Sequence, residues 1–385
     1  MKKILFVTSA LVAMSSIAVA GDIPAAPSVE AAGFTVTASG KAVIFGFYNG
    51  TAVVAPAVQY GIGADYSGEI EAKKTLDDGS EVTLTLGFDE KVFIDAEANY
   101  KSAAIGEFKA GRIGGEDEHD IEAPDAPDIP NVGDELEDGD DGLLFADADL
   151  SLYTEFKPVF AALAATDYSV TYTSPEFGGF QLGAGVDGAG NIDVAVAGSF
   201  ALSEATVKVG VRYIASNPTL STGKATAGAS VEVTGFTVGG QFTADLAAST
   251  NNAFNVGAMY VTGPFTLGAH YTSKVNAADK GVVTAGVQYE ENGLKAVIDG
   301  SYNLVSTGAT PDAWTAAAGA TYKFTAEIMV GATVLASGNS LAGSATKVMG
   351  SAGIDYALNS QVTLGAGLGY DGAVFGAAAG LKVKF

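Results

Sequence analysis

The chain has 385 residues, 44 Asp and Glu against 20 Lys and Arg (formal charge −24), and no cysteine. The acidity excludes a basic nucleic-acid surface, and the missing cysteine excludes a disulfide framework and thiolate chemistry. Only 17% of residues are charged, against about 25% in an ordinary soluble chain, while 48% are hydrophobic and mean hydropathy is +0.26. Beyond the N-terminus no stretch reaches the run of about 20 apolar residues that a membrane helix needs. A membrane chain without such runs has to close its backbone hydrogen bonds as a β-barrel.

Residues 1–20 read as a secretory signal: Lys2 and Lys3, an apolar stretch from Ile4 to Ile17, and the cleavage site Ala18-Val19-Ala20. Loss of the two lysines would leave a charge of 18 − 44 = −26. Residues 21–33, with prolines at 24 and 27, read as a flexible periplasmic leader, and residues 34–385 as the β-barrel domain.

Alternation with period two then dominates. Over 264–273, Phe265, Leu267, Ala269 and Tyr271 oppose Thr266, Gly268, His270 and Thr272; over 281–290, Val283, Ala285, Val287 and Tyr289 oppose Thr284, Gly286, Gln288 and Glu290. Over 360–370, Val362, Leu364, Ala366, Leu368 and Tyr370 oppose Thr363, Gly365, Gly367 and Gly369. One oily face and one face of Gly, Thr, Ser and Gln, held for about ten residues, is the pattern of a strand between lipid and water. A secreted β-sandwich would carry Lys and Glu on its outer face instead. Tyr48, Tyr100, Tyr213, Tyr289, Tyr302, Tyr370 and the single tryptophan, Trp314, fit girdles at the two membrane interfaces. Turn sequences such as Leu76-Asp77-Asp78-Gly79-Ser80 and Glu290-Glu291-Asn292-Gly293 punctuate the strands, and longer connections cover 214–225, 303–313 and 336–345. The turns divide the chain into about five strands before residue 113 and up to fifteen after residue 165, and pattern alone accepts an even count of 16 to 20.

Residues 113–165 interrupt the pattern. This acidic insertion holds Glu116, Asp117, Glu118, Asp120, Glu122, Asp125, Asp128, Asp134 and Glu135, continues through Glu137, Asp138, Asp140 and Asp141, and has no Lys or Arg between Arg112 and Lys157. Loops of such length are functional or disordered. Asp134-Glu135-Leu136-Glu137-Asp138-Gly139 begins like a calcium loop, but Leu136 stands where an oxygen ligand is required. A loose Ca²⁺ site among Asp134, Asp138, Asp140 and Asp141 is the most these residues offer; no other cofactor is expected.

Two matches to G-x-G-x-x-G, at 183–188 and 367–372, are followed by more alternating strand rather than a helix, so they are inward glycines and turns, not a dinucleotide site. His119 and His270 have no Ser and acid partners at a recognisable spacing, so no enzyme is expected.

Four stretches resemble the general porin family of Gram-negative bacteria, its alphaproteobacterial members in particular. They are Gly68-Glu69-Ile70-Glu71-Ala72 with Leu76-Asp77-Asp78-Gly79; Gly106-Glu107-Phe108-Lys109-Ala110-Gly111-Arg112; Tyr168 to Phe180, with its Ser174-Pro175-Glu176-Phe177-Gly178-Gly179-Phe180 turn; and the terminal Gly380-Leu381-Lys382-Val383-Lys384-Phe385. The resemblance implies an outer-membrane location and an all-β, closed antiparallel transmembrane barrel of 16 strands. It also implies a homotrimer, a long third loop folded into the barrel, and Phe385 as the signal presented to the barrel-assembly machinery.

An inward third loop would set its carboxylates against cations of the wall. Inward-phase candidates are Lys41, Lys73, Arg112, Lys208 and Arg212. Acid facing base across a narrow waist orients dipolar solutes, and an excess of carboxylate favours cations. The expected function is passive diffusion of small hydrophilic solutes and ions. The rivals are a substrate-specific channel and a non-conducting structural or adhesive barrel.

Overall fold

The computed structural model describes residues 28–49, 60–89, 92–112, 168–215, 223–246, 252–273, 279–305, 313–339, 345–370 and 375–385, with 372–373 and, in the long acidic segment, 121, 123–124, 126–128 and 130–132. The described chain is almost entirely strand. In order these are β1 (Ser28–Ala31), β2 (Phe34–Asn49), β3 (Tyr60–Thr75), β4 (Glu81–Asp89), β5 (Val92–Ser102), β6 (Gly106–Arg112) and β7 (Ser169–Thr173). Then follow β8 (Phe180–Asp187), β9 (Ile192–Leu202), β10 (Ala205–Ala215), β11 (Gly223–Val233), β12 (Phe236–Asp245), β13 (Ala253–Thr262) and β14 (Phe265–Thr272). The rest are β15 (Asp279–Glu291), β16 (Leu294–Val305), β17 (Ala313–Lys323), β18 (Ile328–Asn339), β19 (Lys347–Ala357), β20 (Val362–Tyr370) and β21 (Phe375–Lys384).

Each strand from β2 to β21 pairs antiparallel with the next, and β21 returns to β2 through Lys41↔Lys384 to Asn49↔Gly376. Gly40 and Phe385 exchange backbone hydrogen bonds of 2.9 and 3.0 Å at the end of this seam. The ring therefore has 20 strands, which overturns the 16 that the family resemblance implies. Each extra hairpin satisfies its backbone as fully as the others do, so strand number is set by how many hairpins precede closure and by no local property of a strand. At about 4.8 Å between strands and a tilt of about 40°, 20 strands close at a radius of roughly 20 Å, against roughly 16 Å for 16.

β1 stands outside the count. It lies end to end with β21 on the same edge of β2, pairing Ser28↔Thr37 to Ala31↔Phe34 through a tight turn at Ala32 and Gly33, whose φ values are +55° and +78°. Residues 28–33, read as leader from the sequence, thus form a short hairpin, while residues 1–27 lie outside the described residues.

Burial is inverted relative to a soluble protein. On β9 Asp193 is fully buried while Val194 is 42% exposed; on β16 Asp299 is 4% exposed beside Ile298 at 65%. Register propagates this phase around the wall: Thr226, Gln241, Asn255, Thr333 and Ser351 face inward and are buried, while Phe242, Val256, Val283, Val334 and Leu364 stand outward. Outward aromatics gather at both ends of the strands. Phe180–Phe200, Phe236–Tyr260, Phe265–Tyr289 and Tyr322–Phe324 ring pairs lie near the short turns. Phe254–Tyr271, Tyr370–Phe375 and the cross-strand neighbours Tyr302 and Trp314 lie near the long connections. An outward apolar band between two aromatic girdles is the surface a barrel presents to a bilayer.

Candidate functional site: the strap across the lumen

β6 and β7 are wall neighbours, paired Glu107↔Thr173 to Gly111↔Ser169, so the long acidic segment leaves and rejoins the wall at one place. Its described residues do not lie there. They run across the inner wall on the far side of the ring. The Pro124 carbonyl sits over Gly228 on β11, so closely that a Cβ there would be 1.8 Å from the oxygen. Ala126 donates its N–H to Asn255 Oδ1 (3.1 Å) on β13, and its methyl fills the slot over Gly257. The Pro130 carbonyl sits over Gly286 on β15, again 1.8 Å from a hypothetical Cβ. Val132 donates its N–H to Asp299 Oδ1 (2.9 Å) on β16. The strap thus advances about one strand for every two residues from 126 to 132. Two extended residues span about 6.6 Å, more than the spacing of about 4.8 Å between strands, so the crossing is oblique.

The wall is built to receive it. Glycine at 228 and 286 lets backbone pack on backbone where any side chain would push the strap away. Val132 is fully buried in a small apolar cluster with Val297, Ala317, Leu335 and Met349 from β16 to β19. Ile121, Ala123, Ala126 and Asn131 are also buried. The strap is therefore held by hydrogen bonds, by close backbone contact and by an apolar anchor, part-way along the strands: Gly228 is the sixth of the 11 residues of β11.

The wall away from the strap carries paired charge. Arg212 on β10 grips the fully buried Asp193 of β9 with a fork, Nη2 to Oδ2 at 2.6 Å and Nε to both oxygens at 3.1 Å. Glu107 takes Asn99 Nδ2 (2.6 Å) and lies 3.2 Å from Lys101 and 4.0 Å from Lys109. Lys73 pairs with Glu81 at 2.9 Å. By register Lys41 and Lys208 also stand on the inner face, opposite Ser67 and Ser199. Arg112 ends β6 opposite Ala96, and its side chain lies outside the described residues.

Of the acidic residues expected at the constriction, Asp128 is described: it is exposed on the strap, within electrostatic reach of His270 on β14. Glu116, Asp117, Glu118, Asp120, Glu122, Asp125, Asp134 and Glu135 lie outside the described residues, as do Asp138, Asp140 and Asp141 of the calcium expectation. Among the described residues no cluster of three or more His, Asp or Glu could hold a metal. The residues that hold the strap were missed from sequence. A signal existed for some of them: Val297-Ile298, Val334-Leu335 and Val348-Met349 put apolar side chains in both phases of a strand, where most lumen-facing positions are polar or small.

A sequence profile described as Gram-negative porin matches residues 7–293, about three quarters of the chain. The chain belongs to the Gram-negative porin family. Its place is therefore the outer membrane, and the inverted burial and aromatic girdles are the porin's lipid-facing surface. No curated protein matches it. Among solved structures, a triple mutant of the Rhodopseudomonas blastica porin is similar at 14% identity with a TM-score of 0.43. A double mutant of the same porin is similar at 14% and 0.42. A porin refined at 1.8 Å is similar at 15% and 0.37. Each alignment covers 91% of this chain and 100% of the other.

Proposed function

We propose that this porin is a passive diffusion channel for small hydrophilic solutes and ions, and that it prefers cations. One observation carries the reading: the segment anchored on the inner wall is the acidic one. Between Arg112 and Lys157 the sequence holds 16 Asp and Glu and no Lys or Arg, and the described part of this segment, Asp128 included, lies against the inner wall. The wall offers Lys41, Lys73, Lys208 and Arg212 as counter-charges, but Arg212 and Lys73 are already matched by Asp193 and Glu81. A waist with surplus carboxylate lowers the energy of a passing cation and raises that of an anion. The homotrimer and the recognition of Phe385 by the assembly machinery belong to the same proposal, by family likeness.

Reversal potential in a tenfold KCl gradient across a planar bilayer tests it. The expected sign is that of a cation-preferring pore. An anion-preferring sign, or bilayers that stay silent, would overturn it. Chemical cross-linking of the detergent-extracted protein tests the subunit number.

A further inference from the structure

The strap crosses β13 at Ala126 and β15 at Pro130, so it crosses the intervening β14 at Asp128. The β14 residue below is His270, paired with Gly257 on one side and Thr284 on the other. Its Cβ lies 2.7 Å from the point where a Cβ on Gly257 would be, in the slot that the Ala126 methyl also enters. His270 is half-buried beside the strap, and Asp128 is exposed.

The pair is electrically isolated among the described residues. The inward residues packed around His270 are Asn255, Gly257 and Met259 of β13, Thr266, Gly268 and Thr272 of β14, and Thr284, Gly286 and Gln288 of β15; none carries charge. On the strap, Asp128 is the one charged residue described. Among the described residues, further charges on this side of the wall are Asp299 on β16, which takes the Val132 N–H, and Glu290 at the end of β15, opposite Lys295 of β16.

We propose that His270 and Asp128 form a proton-responsive selectivity element: a neutral imidazole leaves the Asp128 carboxylate facing the solute path, and an imidazolium neutralises it. Histidine is the side chain whose charge changes between about pH 5 and 8, the range the outside of a cell meets. This rests on the diffusion-channel reading. Acidification adds one unit charge about 5 to 8 Å from the path, and in a water-like dielectric screened with a Debye length of about 8 Å that lowers the cation-to-anion permeability ratio about twofold to fourfold.

The test is reversal potential in a KCl gradient at pH 7.5 and 5.5 for the wild type, His270→Gln and His270→Lys. The wild type should lose cation preference on acidification by that factor. His270→Gln should keep most of it, with any residual change coming from carboxylates common to all three. His270→Lys should sit near the acidic wild-type value at both pH values. A wild-type response retained in full by His270→Gln overturns the proposal while leaving the channel reading standing. Anion preference or silence of the wild type at pH 7.5 instead overturns the channel reading itself.

Discussion

Replacing Gly286 with alanine puts a methyl carbon 1.8 Å from the Pro130 carbonyl oxygen, where ordinary contact begins at 3.4 Å. Because β15 is paired on both sides, the strap must retreat, by about 1.6 Å. Val132 is only two residues further on. A shift of that size stretches its 2.9 Å bond to Asp299 beyond hydrogen-bond length and lifts its side chain from between Val297, Leu335 and Met349. A buried hydrogen bond to a carboxylate contributes about 1.5 to 3 kcal/mol, and full burial of a valine about 1.5 to 2 kcal/mol. Together they hold the strap by about 3 to 5 kcal/mol, so its released state is populated below about 1%. Losing about half of this in Gly286→Ala raises released strap to roughly 1 to 8%. Single-channel recording reads it as open-channel noise and brief conductance steps absent from the wild type. Gly185→Ala is the control: it also faces the lumen, but its new methyl would meet the Thr171 methyl at 3.3 Å and no part of the strap. Wild-type noise in Gly286→Ala would refute the idea that backbone contact at this glycine holds the strap.

Three further outcomes are expected. Val132→Ala removes two methyl groups from the apolar anchor, about 2 kcal/mol of docking, and should raise noise as Gly286→Ala does, without the steric displacement. Arg212→Met takes the guanidinium fork from the fully buried Asp193 carboxylate and should lower barrel stability by about 3 kcal/mol, read as an earlier urea midpoint of the detergent-folded protein. In the turn between β3 and β4, the Ser80 hydroxyl and N–H both donate to Asp78 Oδ1, and these bonds hold the Asp78 carboxyl below its ordinary 3.8. A depressed carboxyl stabilises the fold above its unfolded value and stops doing so as pH falls through the native one. Ser80 amide protection, followed by NMR exchange, should therefore persist at pH 3.8 and fall only below it, and Asp78→Asn should remove that dependence.

Most of the wall was legible because each strand announces its two faces locally. Phe265, Leu267, Ala269 and Tyr271 are outward and Thr266, Gly268, His270 and Thr272 inward, as period two requires when one side meets lipid. The Asn292-Gly293 turn was equally local: both residues take positive φ, +52° and +80°, which the sequence supplies at no steric cost. Strand number was different. Closure is a property of the whole ring, and leaning on the family's 16 gave the wrong answer for a chain with two further hairpins. The strap's resting place was illegible for a related reason. Asp299 and Val132 are 167 residues apart, and nothing near either one announces the other. Only the doubled apolar pairs of β16, β18 and β19 hinted that part of the lumen is dry.

Ring width also explains why the strap needs so deliberate a track. With a radius of roughly 20 Å, an ion on the axis stands more than two Debye lengths (each about 8 Å at physiological ionic strength) from the backbone wall and nearly two from the charges on its side chains. Lys41, Lys208 or the Arg212–Asp193 pair alone would therefore exert little influence on ions passing through the middle of an unobstructed ring. On the diffusion-channel reading, a segment held inward would bring a carboxylate such as Asp128 nearer the path, where one charge is worth a measurable factor. Such a segment is useful only if it stays put, because a loose chain of the same composition averages its charge over the lumen. Two bare glycines, two wall side chains that accept strap N–H groups and one apolar seat supply that fixity from β11, β13, β15 and the four strands β16 to β19. They follow one line around the wall, so the cation preference proposed above rests on side chains that hold the strap as much as on the charges it carries.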